Sequence, residues 1–317
     1  MTWIIELLHY GSIAAVVGIN SIAVGIGEGL VGAAAVDAIH AQPKSKNEIS
    51  TTAILGMALV ETAAITGISI ALILLLTVGQ EDKTIYLGLA ELGIVFAICI
   101  SGFVIGLVSS WPAISACHAV ARQPFTSKRI MRFMLITQSM IQTPVIFGFI
   151  IAMFIKSMAM GITTVQESFK LMASGLAIGL GSIGPGIGLA QFGKVACKSI
   201  GINRKSYNKI FSFTLISEAI IETPVIFALV TSLIIIVSKT TTLLHGIALL
   251  ASAVCIGIGT IGPGIGSGKT ASAACEQIAI NPDNYSTLAK VSMFCQGLVD
   301  TAAIYALLVA ISLVVFR

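Results

Sequence analysis

The stretch SEAIIETPVIFA, residues 217–228, occurs in four versions along the chain. The other three are GMALVETAAITG (56–67), TQSMIQTPVIFG (137–148) and CQGLVDTAAIYA (295–306). Each version has an acid or an amide at its sixth position, followed by threonine, and these residues are Glu61, Gln142, Glu222 and Asp300. The four positions lie 81, 80 and 78 residues apart, so the chain is a tandem array of four related units.

Composition indicates that the four units lie in a membrane. Hydrophobic residues make up 56% of the 317 residues and charged residues only 10%. Apolar segments of about 30 residues recur between short polar loops, and each is long enough to cross a bilayer. We therefore predict an all-α membrane protein of eight transmembrane helices, arranged as four tandem hairpins. The predicted hairpins are residues 1–79, 80–160, 161–240 and 241–317.

Basic residues cluster at the loop inside each hairpin. The loop-side basic residues are Lys44, Lys46, Arg122, Lys128, Arg129, Arg132, Lys198, Arg204, Lys205, Lys209 and Lys290. The basic residues at the opposite ends are Lys83, Lys156, Lys170, Lys239 and Arg317. Because cytoplasmic loops of membrane proteins are enriched in lysine and arginine, we expect the hairpin loops in the cytoplasm and both chain ends outside.

The first helix of a hairpin is rich in alternating glycines. The pattern occurs in GINSIAVGIGEG (18–29), GLGSIGPGIG (179–188) and GIGTIGPGIGSG (257–268), whereas GFVIGLVSSWPA (102–113) keeps only part of it. Residues two apart on a helix project about 200° from each other, so the glycines leave two opposite flanks smooth. Such a helix packs closely against two neighbours at once, as in a closed ring of equivalent helices.

One glycine-rich stretch imitates a nucleotide-binding loop. GPGIGSGKTAS (262–272) contains Gly-Lys-Thr, but a phosphate-binding loop needs a further glycine where this chain has Pro263. Proline has no backbone N–H to offer a phosphate. We therefore interpret the stretch as a helix-packing segment, and we assign the chain no catalytic site of its own.

Three of the four repeated positions are acids: Glu61, Glu222 and Asp300. Each lies about 14 residues into the second helix of its hairpin, or roughly 21 Å from the loop. An acid at that depth costs about 2.5–3.5 kcal/mol and marks a functional site by default. A packing role is the competing interpretation, and repetition at one register argues against it. Because lipid favours the neutral carboxyl and water the charged one, an acid that alternates between them is an ion carrier.

Together these features resemble the c subunit, or proteolipid, of rotary ATP synthases, in four fused copies. The resemblance rests on the alternating glycines, the loop Arg122-Gln123-Pro124, the acid 18 residues after the loop position, and Gly193-Lys194 before the third loop. It covers essentially the whole chain. It implies that the four hairpins form part of a homo-oligomeric rotor ring in the lipid bilayer.

The resemblance also implies how such a ring works. Its acids would carry H⁺ or Na⁺, and an essential Arg of the stator subunit a would displace the ion. The loops would contact the central stalk subunits and couple rotation to ATP synthesis or hydrolysis elsewhere in the complex. The loop residues implied in that contact are Gln42, Pro43, Arg122, Gln123, Pro124, Asn203, Arg204, Asn281 and Pro282. No cofactor and no nucleic acid are expected, and the implied location is a bacterial inner membrane.

The type of complex and the number of ions stay open at this point. The Arg-Gln-Pro loop favours an F-type synthase, but V-type ATPases also contain fused proteolipids that have lost acids. Gln142 is such a loss, because an amide cannot release a proton, so we expect three ions for every four hairpins. A secondary transporter built from repeats is less favoured, since the four hairpins are parallel and not inverted.

The residues near the acids leave the choice of ion open too. Family members that bind Na⁺ have a polar group on the first helix, a hydroxyl after the acid and a carbonyl two residues before it. The residues that fit this pattern are Glu28 and Thr62 in the first hairpin; Glu218, Thr223 and the carbonyl of Ile220, freed by Pro224, in the third; and Ser267, Gln296, Thr301 and Tyr305 in the fourth. Only the first hairpin has an inner carboxylate, which makes H⁺ the default and Na⁺ the alternative, with no other metal expected.

Other polar residues and the cysteines receive smaller parts in this interpretation. The six cysteines lie in apolar segments without CxxC spacing, so we expect free thiols packed between helices. We assign no role to the four histidines. Glu91, near the outer end of the third helix, is expected to be partly hydrated.

Overall fold

The computed structural model describes residues 2–79 and 83–316, and every regular element in these ranges is helical. Eight helices are long and apolar enough to cross a membrane, which confirms the predicted all-α class with four hairpins. They are α1 (Trp3–Ala41), α2 (Pro43–Thr77), α3 (Ile85–Arg122), α4 (Pro124–Ala159), α5 (Val165–Ile200), α6 (Tyr207–Val237), α7 (Leu243–Ile280) and α8 (Pro282–Val315). The shortest spans about 45 Å, more than the hydrocarbon core of a bilayer.

Tight turns join the two helices of each hairpin at one end of the bundle, the loop end; the opposite end is the far end. A single residue separates the helices in three hairpins, and it is Gln42, Gln123 or Asn281. Each second helix is led by a short 3₁₀ turn; these turns are Pro43–Ser45, Pro124–Thr126, Arg204–Ser206 and Pro282–Asn284. Proline suits the first position because its missing N–H would have no partner in a first turn.

Five of the eight helices are interrupted near mid-length. The parts are Lys46–Val60 and Thr62–Thr77 in α2; Ile85–Val95, the π-helical turn Phe96–Ile100, Ser101–Val108 and Ser110–Arg122 in α3; Ser127–Ile141 and Thr143–Ala159 in α4; Val165–Gly181 and Ile183–Ile200 in α5; and Leu243–Gly259 and Ile261–Ile280 in α7. The continuous helices are Thr2–Ala41, Tyr207–Val237 and Tyr285–Val315.

Proline accounts for most of these interruptions, because it cannot donate a hydrogen bond to the carbonyl four residues earlier. In α3, α4, α5 and α7 a break lies two or three residues before a proline, and these prolines are Pro112, Pro144, Pro185 and Pro263. The break of α2 at Glu61 has no proline beside it. Conversely, Pro224 lies inside the continuous helix α6.

The helices pack in two layers. The first layer consists of α1, α3, α5 and α7, side by side in chain order, and the second consists of α2, α4, α6 and α8. Every hairpin therefore lies beside the next one in the same orientation. Within the described ranges, the packing between hairpins joins consecutive ones, so the array has two open edges, at the first and the fourth hairpin.

Glycine makes the close spacing of the first layer sterically feasible. A Cβ atom at Gly175 would collide with Gly93 of α3, and one at Gly188 would collide with the carbonyl of Gly264 in α7. Helix α5 thus has glycine contacts on both flanks, as the alternating pattern predicts. By contrast, a Cβ atom at Gly25 of α1 would meet open space, because that flank forms an edge of the array.

Apolar side chains fill the space between the layers in two clusters, one toward each end. The loop-end cluster contains Phe133, Phe192 and Phe213, of which the last two meet edge to face with ring centroids 5.9 Å apart. The repeated polar positions lie at the level where one cluster gives way to the other. The six cysteines are free thiols, four of them buried and two half-buried.

Candidate ion-binding sites

The repeated polar positions lie at mid-length of the second-layer helices. Glu222 and Asp300 are each the central residue of a helix of 31 residues, and Glu61 and Gln142 occupy the interruptions of α2 and α4. Their surroundings differ. In the single chain Glu61 is exposed, Glu222 is half-buried, and Gln142 and Asp300 are buried. The repeated polar position therefore lies in a different environment in each hairpin.

The fourth hairpin has a hydroxyl aimed at its acid. Ser267 of α7 donates a hydrogen bond from Oγ to Oδ1 of Asp300 on α8, over 3.0 Å, and both side chains are buried. Two glycines flank Ser267 closely in sequence, Gly266 and Gly268, which lets the neighbouring helices approach. A first-layer hydroxyl beside a second-layer carboxyl is the arrangement that the sequence predicts for this hairpin.

The other three residues proposed to support Asp300 point elsewhere. Gln296 donates from Nε2 to the hydroxyls of Ser217 (3.4 Å) and Ser292 (3.0 Å). Thr301 donates to the carbonyl of Leu298 in its own helix, 2.7 Å away. Tyr305 is 65% exposed on the outer face of α8. In this arrangement Ser267 is therefore the supporting side chain with a direct hydrogen bond to Asp300.

The third hairpin receives a hydroxyl from its neighbour. The side chain of Thr143 on α4 lies near the Glu222 carboxyl. Thr223, which follows the acid, donates to the carbonyl of Ala219 in its own helix at 3.3 Å. Pro224 leaves the carbonyl of Ile220 without its usual helical donor. Sequence reasoning missed Thr143, although a threonine follows every repeated polar position and could have indicated it.

Glu218 lies one helical turn before Glu222, on the loop side. Its side chain is fully buried, and neither carboxyl oxygen has a hydrogen-bond partner among the described residues. The corresponding residues of the second and fourth hairpins are the amides Gln138 and Gln296. Because a buried charge without a partner is very costly, Glu218 is held as the neutral acid.

The first hairpin brings two carboxyls together. Gly27 of α1 packs against Val60 of α2, so the residues that follow them, Glu28 and Glu61, lie at the same level, and Thr62 has a half-buried side chain. Farther from the loop, Asn20 of α1 packs near Gly67 and donates from Nδ2 to the carbonyl of Ala63 at 3.1 Å. Asn20 has no counterpart amide in the other hairpins, so the repeat pattern gave no signal for it.

The second hairpin has an amide, Gln142, where the other three hairpins have an acid. Gln142 donates from Nε2 to the carbonyl of Leu59 on α2, over 2.9 Å. Gln138, one turn earlier, donates to the carbonyls of Gly56 (3.1 Å) and Ser109 (2.8 Å). The contacts with Leu59 and Gly56 connect the second hairpin to the first near the level of Glu61, and the contact with Ser109 joins α4 to α3 within the second hairpin.

The residues predicted to contact the stalk gather at the loop end. Those with exposed or half-buried side chains are Gln42, Pro43, Arg122, Gln123, Pro124, Asn203, Asn281 and Pro282. The side chain of Arg204 and the whole of Arg317 lie outside the described part of the chain. Asn203 also donates to the carbonyl of Ala279 at 2.9 Å and so links the third loop to the fourth. Phe125, directly after the second loop proline, is 99% exposed and was not foreseen.

Two expectations about the far end were wrong. Glu91 is fully buried, not partly hydrated, because it lies between α1 and α3 in the first layer. His9, to which we assigned no role, is its partner: Nδ1 lies 3.0 Å from both carboxyl oxygens of Glu91. Nearby, Lys83 contacts Glu6 at 3.2 Å and the hydroxyl of Tyr10 at 3.0 Å.

Comparison with known families accounts for the repeat. The sequence profile of the ATP synthase c-subunit family matches four segments of the chain, residues 12–74, 90–155, 172–235 and 250–313. Each segment contains both helices of one hairpin and one of the four repeated polar positions.

Individual relatives each correspond to about one hairpin. The ATP synthase c subunit of Dehalococcoides mccartyi is 46% identical over 70 residues, which is 22% of this chain and 92% of that protein. The ATP synthase c subunit of Chloroflexus aurantiacus is 38% identical over 70 residues, with the same coverage of both chains. That of Thermotoga petrophila is 36% identical over 72 residues, 22% of this chain and 85% of its own.

Proposed function

The chain belongs to the ATP synthase c-subunit family and is an integral membrane protein, and we propose that it builds the rotor ring of a rotary ATP synthase. In this function Glu61, Glu222 and Asp300 carry ions across the membrane. The observation on which the proposal depends most is the Asp300 site, where a buried carboxyl at mid-helix accepts a hydrogen bond from Ser267 of the neighbouring layer. ATP itself is made or hydrolysed on other subunits.

The proposed cycle uses the difference between lipid and water. An acid that faces lipid is neutral, with its ion bound, because a bare carboxylate is too costly in hydrocarbon. When the ring turns that acid toward the stator, water and the essential Arg of subunit a favour the charged form and the ion leaves. Hydroxyls such as Ser267 and Thr143 orient the carboxyl in the neutral state.

The open edges of the array support assembly into a ring. On α1, Gly11, Gly18, Gly25 and Gly29 face open space, and Glu61 is exposed on the same edge of the chain. Inside the chain, equivalent first-layer flanks are covered by the next hairpin. In a ring the fourth hairpin of one copy covers the first hairpin of the next, since four parallel hairpins leave complementary edges.

We propose that the second hairpin carries no ion. Gln142 has no proton to release, so one chain moves three ions in a full rotation instead of four. Replacing Gln142 by Glu should add a fourth carrier and raise the ratio of ions to ATP by about one third, because transported ions scale with the number of titratable sites. An unchanged ratio in an active complex would contradict this part of the proposal.

The ion is H⁺ by default. The Asp300 site offers one carboxyl and one hydroxyl, which suffices to hold a proton but is a small ligand set for a metal cation. Na⁺ is the alternative, and its best place is the first hairpin, where Glu28, Glu61 and Thr62 supply oxygen ligands. In the third hairpin Glu218, Thr223 and the carbonyl of Ile220 would play the supporting part, and in the fourth Gln296, Thr301 and Tyr305 after a change of side-chain conformation.

The partners follow from the family. We propose a stator subunit a with an essential Arg beside the ring, and central stalk subunits on the loops that contain Pro43, Pro124, Arg204 and Pro282. The basic loops favour the cytoplasmic side of a bacterial inner membrane, with both chain ends outside. An F-type synthase is favoured over a V-type ATPase, and a secondary ion transporter is the least favoured alternative.

Carbodiimide labelling of the purified protein tests the assignment of the carriers. The reagent modifies protonated carboxyls, and mass spectrometry maps the labelled residues across a pH series with and without Na⁺. We expect labelling at Glu61, Glu222 and Asp300 that declines with rising pH; suppression by Na⁺ would identify a sodium rotor. Absence of labelling at all three acids would overturn the carrier assignment, and a monomer around one cavity, instead of a ring, would favour the transporter.

A further inference from the structure

The second hairpin has no acid at the repeated position, yet the residue there makes a specific contact. The Gln142 side chain is 3% exposed, and its Nε2 donates a hydrogen bond to the carbonyl of Leu59, 2.9 Å away on α2. Leu59 precedes Glu61 by two residues. The amide of the second hairpin therefore binds the backbone beside the acid of the first.

We propose that Gln142 is a positioning residue that holds the Glu61 turn of α2, as a permanent substitute for a protonated acid; the functional importance of that turn rests on the ion-carrying role proposed above. A neutral carboxylic acid has an O–H to donate only while it holds its proton, whereas a glutamine amide always has two N–H donors. Gln142 thus holds the Leu59 carbonyl throughout a rotation, with no ion bound or released.

The backbone that Gln142 binds is irregular. The helix Lys46–Val60 stops at Glu61, and Thr62–Thr77 continues beyond it. The N–H groups of Ala64 and Ile65 share the carbonyl of Glu61, at 2.9 and 3.1 Å. Since no proline imposes this break, we attribute its stability to contacts from neighbouring helices.

Two further amides bind the same turn. Gln138 of α4 donates to the carbonyl of Gly56 at 3.1 Å, and Asn20 of α1 donates to the carbonyl of Ala63 at 3.1 Å. Both side chains are fully buried. Three amides from two helices therefore bind carbonyls before and after Glu61, and the carbonyls of Leu59 and Ala63, bound by Gln142 and Asn20, each lie two residues from the acid.

The arrangement is special to the first acid. Helices α6 and α8 run without interruption through Glu222 and Asp300. Counted from the loop residue of each hairpin, glycines stand at the position of Asn20 in the third and fourth hairpins, namely Gly181 and Gly259. The second hairpin thus has no acid of its own at the repeated position, and its amides bind the backbone around the acid of the first hairpin.

Hydrogen–deuterium exchange of the assembled ring tests this inference. In Gln142→Leu we expect the backbone amides of residues 61–67 to exchange about tenfold faster, because the Leu59 carbonyl loses its buried donor. The equivalent stretch around Asp300 in the same ring should exchange as in the wild type and provides the internal reference. Ser139→Ala, an exposed neighbour on α4, is the matched control and should change neither stretch.

The conservative variant gives a signature that simple loss of packing would not. At pH values at which the new carboxyl is protonated, residues 61–67 of Gln142→Glu should exchange as slowly as in the wild type. At pH values at which it is ionised, they should exchange as fast as in Gln142→Leu. Exchange rates are corrected for the intrinsic effect of pH. The carboxyls near this turn, Glu28 on α1, Glu61 on α2 and Glu222 on α6, are present in all the proteins and cancel in the comparison.

The proposal would be overturned if residues 61–67 of Gln142→Leu exchanged at the wild-type rate. It would also be overturned if the protection of these residues in Gln142→Glu did not depend on pH. In either case Gln142 would not position the Glu61 turn. If Gln142→Leu fails to assemble, the proposal is tested by the exchange of residues 61–67 in Gln142→Glu and the wild type across the pH series. Exchange is measured without ATP or an ion gradient, so a negative result leaves the rotor function untouched. That function fails separately, through absent labelling of the three acids.

Discussion

Two interfaces in the first layer join equivalent helices through different contacts. We call the interface between α1 and α3 the polar seam and the interface between α5 and α7 the glycine seam. Along α5 and α7 the contact is backbone against backbone, with Gly188 lodged against Gly264 and Gly268 against Gly188. Along α1 and α3 a buried pair of His9 and Glu91 closes the far end.

The difference follows from the glycine pattern of the first layer. Where alternating glycines are complete, as in the third and fourth hairpins, two helices approach until their backbones touch, and dispersion forces suffice. The second hairpin keeps only part of the pattern, and along α1 and α3 the comparable glycine contact is that of Gly27 with the carbonyl of Gly106. Polar side chains also connect the two helices across the seam. One fold therefore tolerates two solutions at equivalent positions.

Breaking the polar seam should have the largest effect on stability. We expect Glu91→Leu to destabilise the folded chain by about 3–5 kcal/mol, because His9 is then buried without its partner. The double variant with His9→Leu should recover most of the loss, since it leaves no unpaired polar group. The measurement is the free energy of unfolding in mixed micelles, as a double-mutant cycle. A double variant as unstable as Glu91→Leu would show that the pair contributes through something other than its mutual contact.

Tightening the glycine seam should have the next largest effect. Gly188→Ala places a methyl group against the Gly264 carbonyl, and overpacking of this kind costs about 1–3 kcal/mol. Gly25→Ala is the matched control, because a Cβ atom there meets open space in the single chain. Unfolding of the detached chain should separate the two variants. Equal stabilities would mean that the α5–α7 seam relaxes without cost.

The sequence predicted the hairpins and the level of the acids well, because both depend on spacing along a single helix. Repeat length, loop prolines and helical rise together place Glu222 and Asp300 near the centres of their helices. It predicted lateral contacts poorly. His9 and Glu91 are 82 residues apart and Gln142 and Leu59 are 83 apart, so neither contact appears in the pattern along a single helix.

These sequence separations are close to one repeat length, a signal that is not visible in the pattern along a single helix. Contacts between neighbouring hairpins join residues about one repeat apart, as for Asn203 with Ala279 and Gln296 with Ser217. A search for polar pairs at that offset would have found His9 with Glu91. The contacts of Gln142 with Leu59 and of Gln138 with Gly56 have the same offset, but their acceptors are backbone carbonyls, which a search for polar side chains does not find.

Within the fourth hairpin, the hydroxyl beside the acid should contribute less than either seam. Ser267→Ala removes one hydrogen bond from the Asp300 carboxyl, and we expect a loss of about 1 kcal/mol in unfolding free energy. Ser272→Ala serves as the control, because that hydroxyl donates to the carbonyl of Gly268 in its own helix. Comparing the two in the same micelles isolates the contact between layers, and identical losses would show that Ser267 does no more than Ser272.

The smallest effect is expected at Lys83, outside the spans at the far end of the polar seam. The hydrogen bond with Tyr10 is the main reason why the pKa of Lys83 is raised, and Glu6 adds to it. A raised pKa means that the folded state favours the charged amine, so its stabilisation is complete below the ordinary lysine pKa of about 10.4 and fades as pH rises through the higher folded value. The melting temperature of Lys83→Met should therefore lie slightly below that of the wild type near neutral pH and converge with it in strong alkali. Tyr10→Phe, which removes the hydroxyl that accepts the hydrogen bond from Lys83, should reduce the gap at neutral pH. A constant difference between Lys83→Met and the wild type at every pH would assign the contribution of Lys83 to its aliphatic stem, and the polar seam would then end at His9 and Glu91.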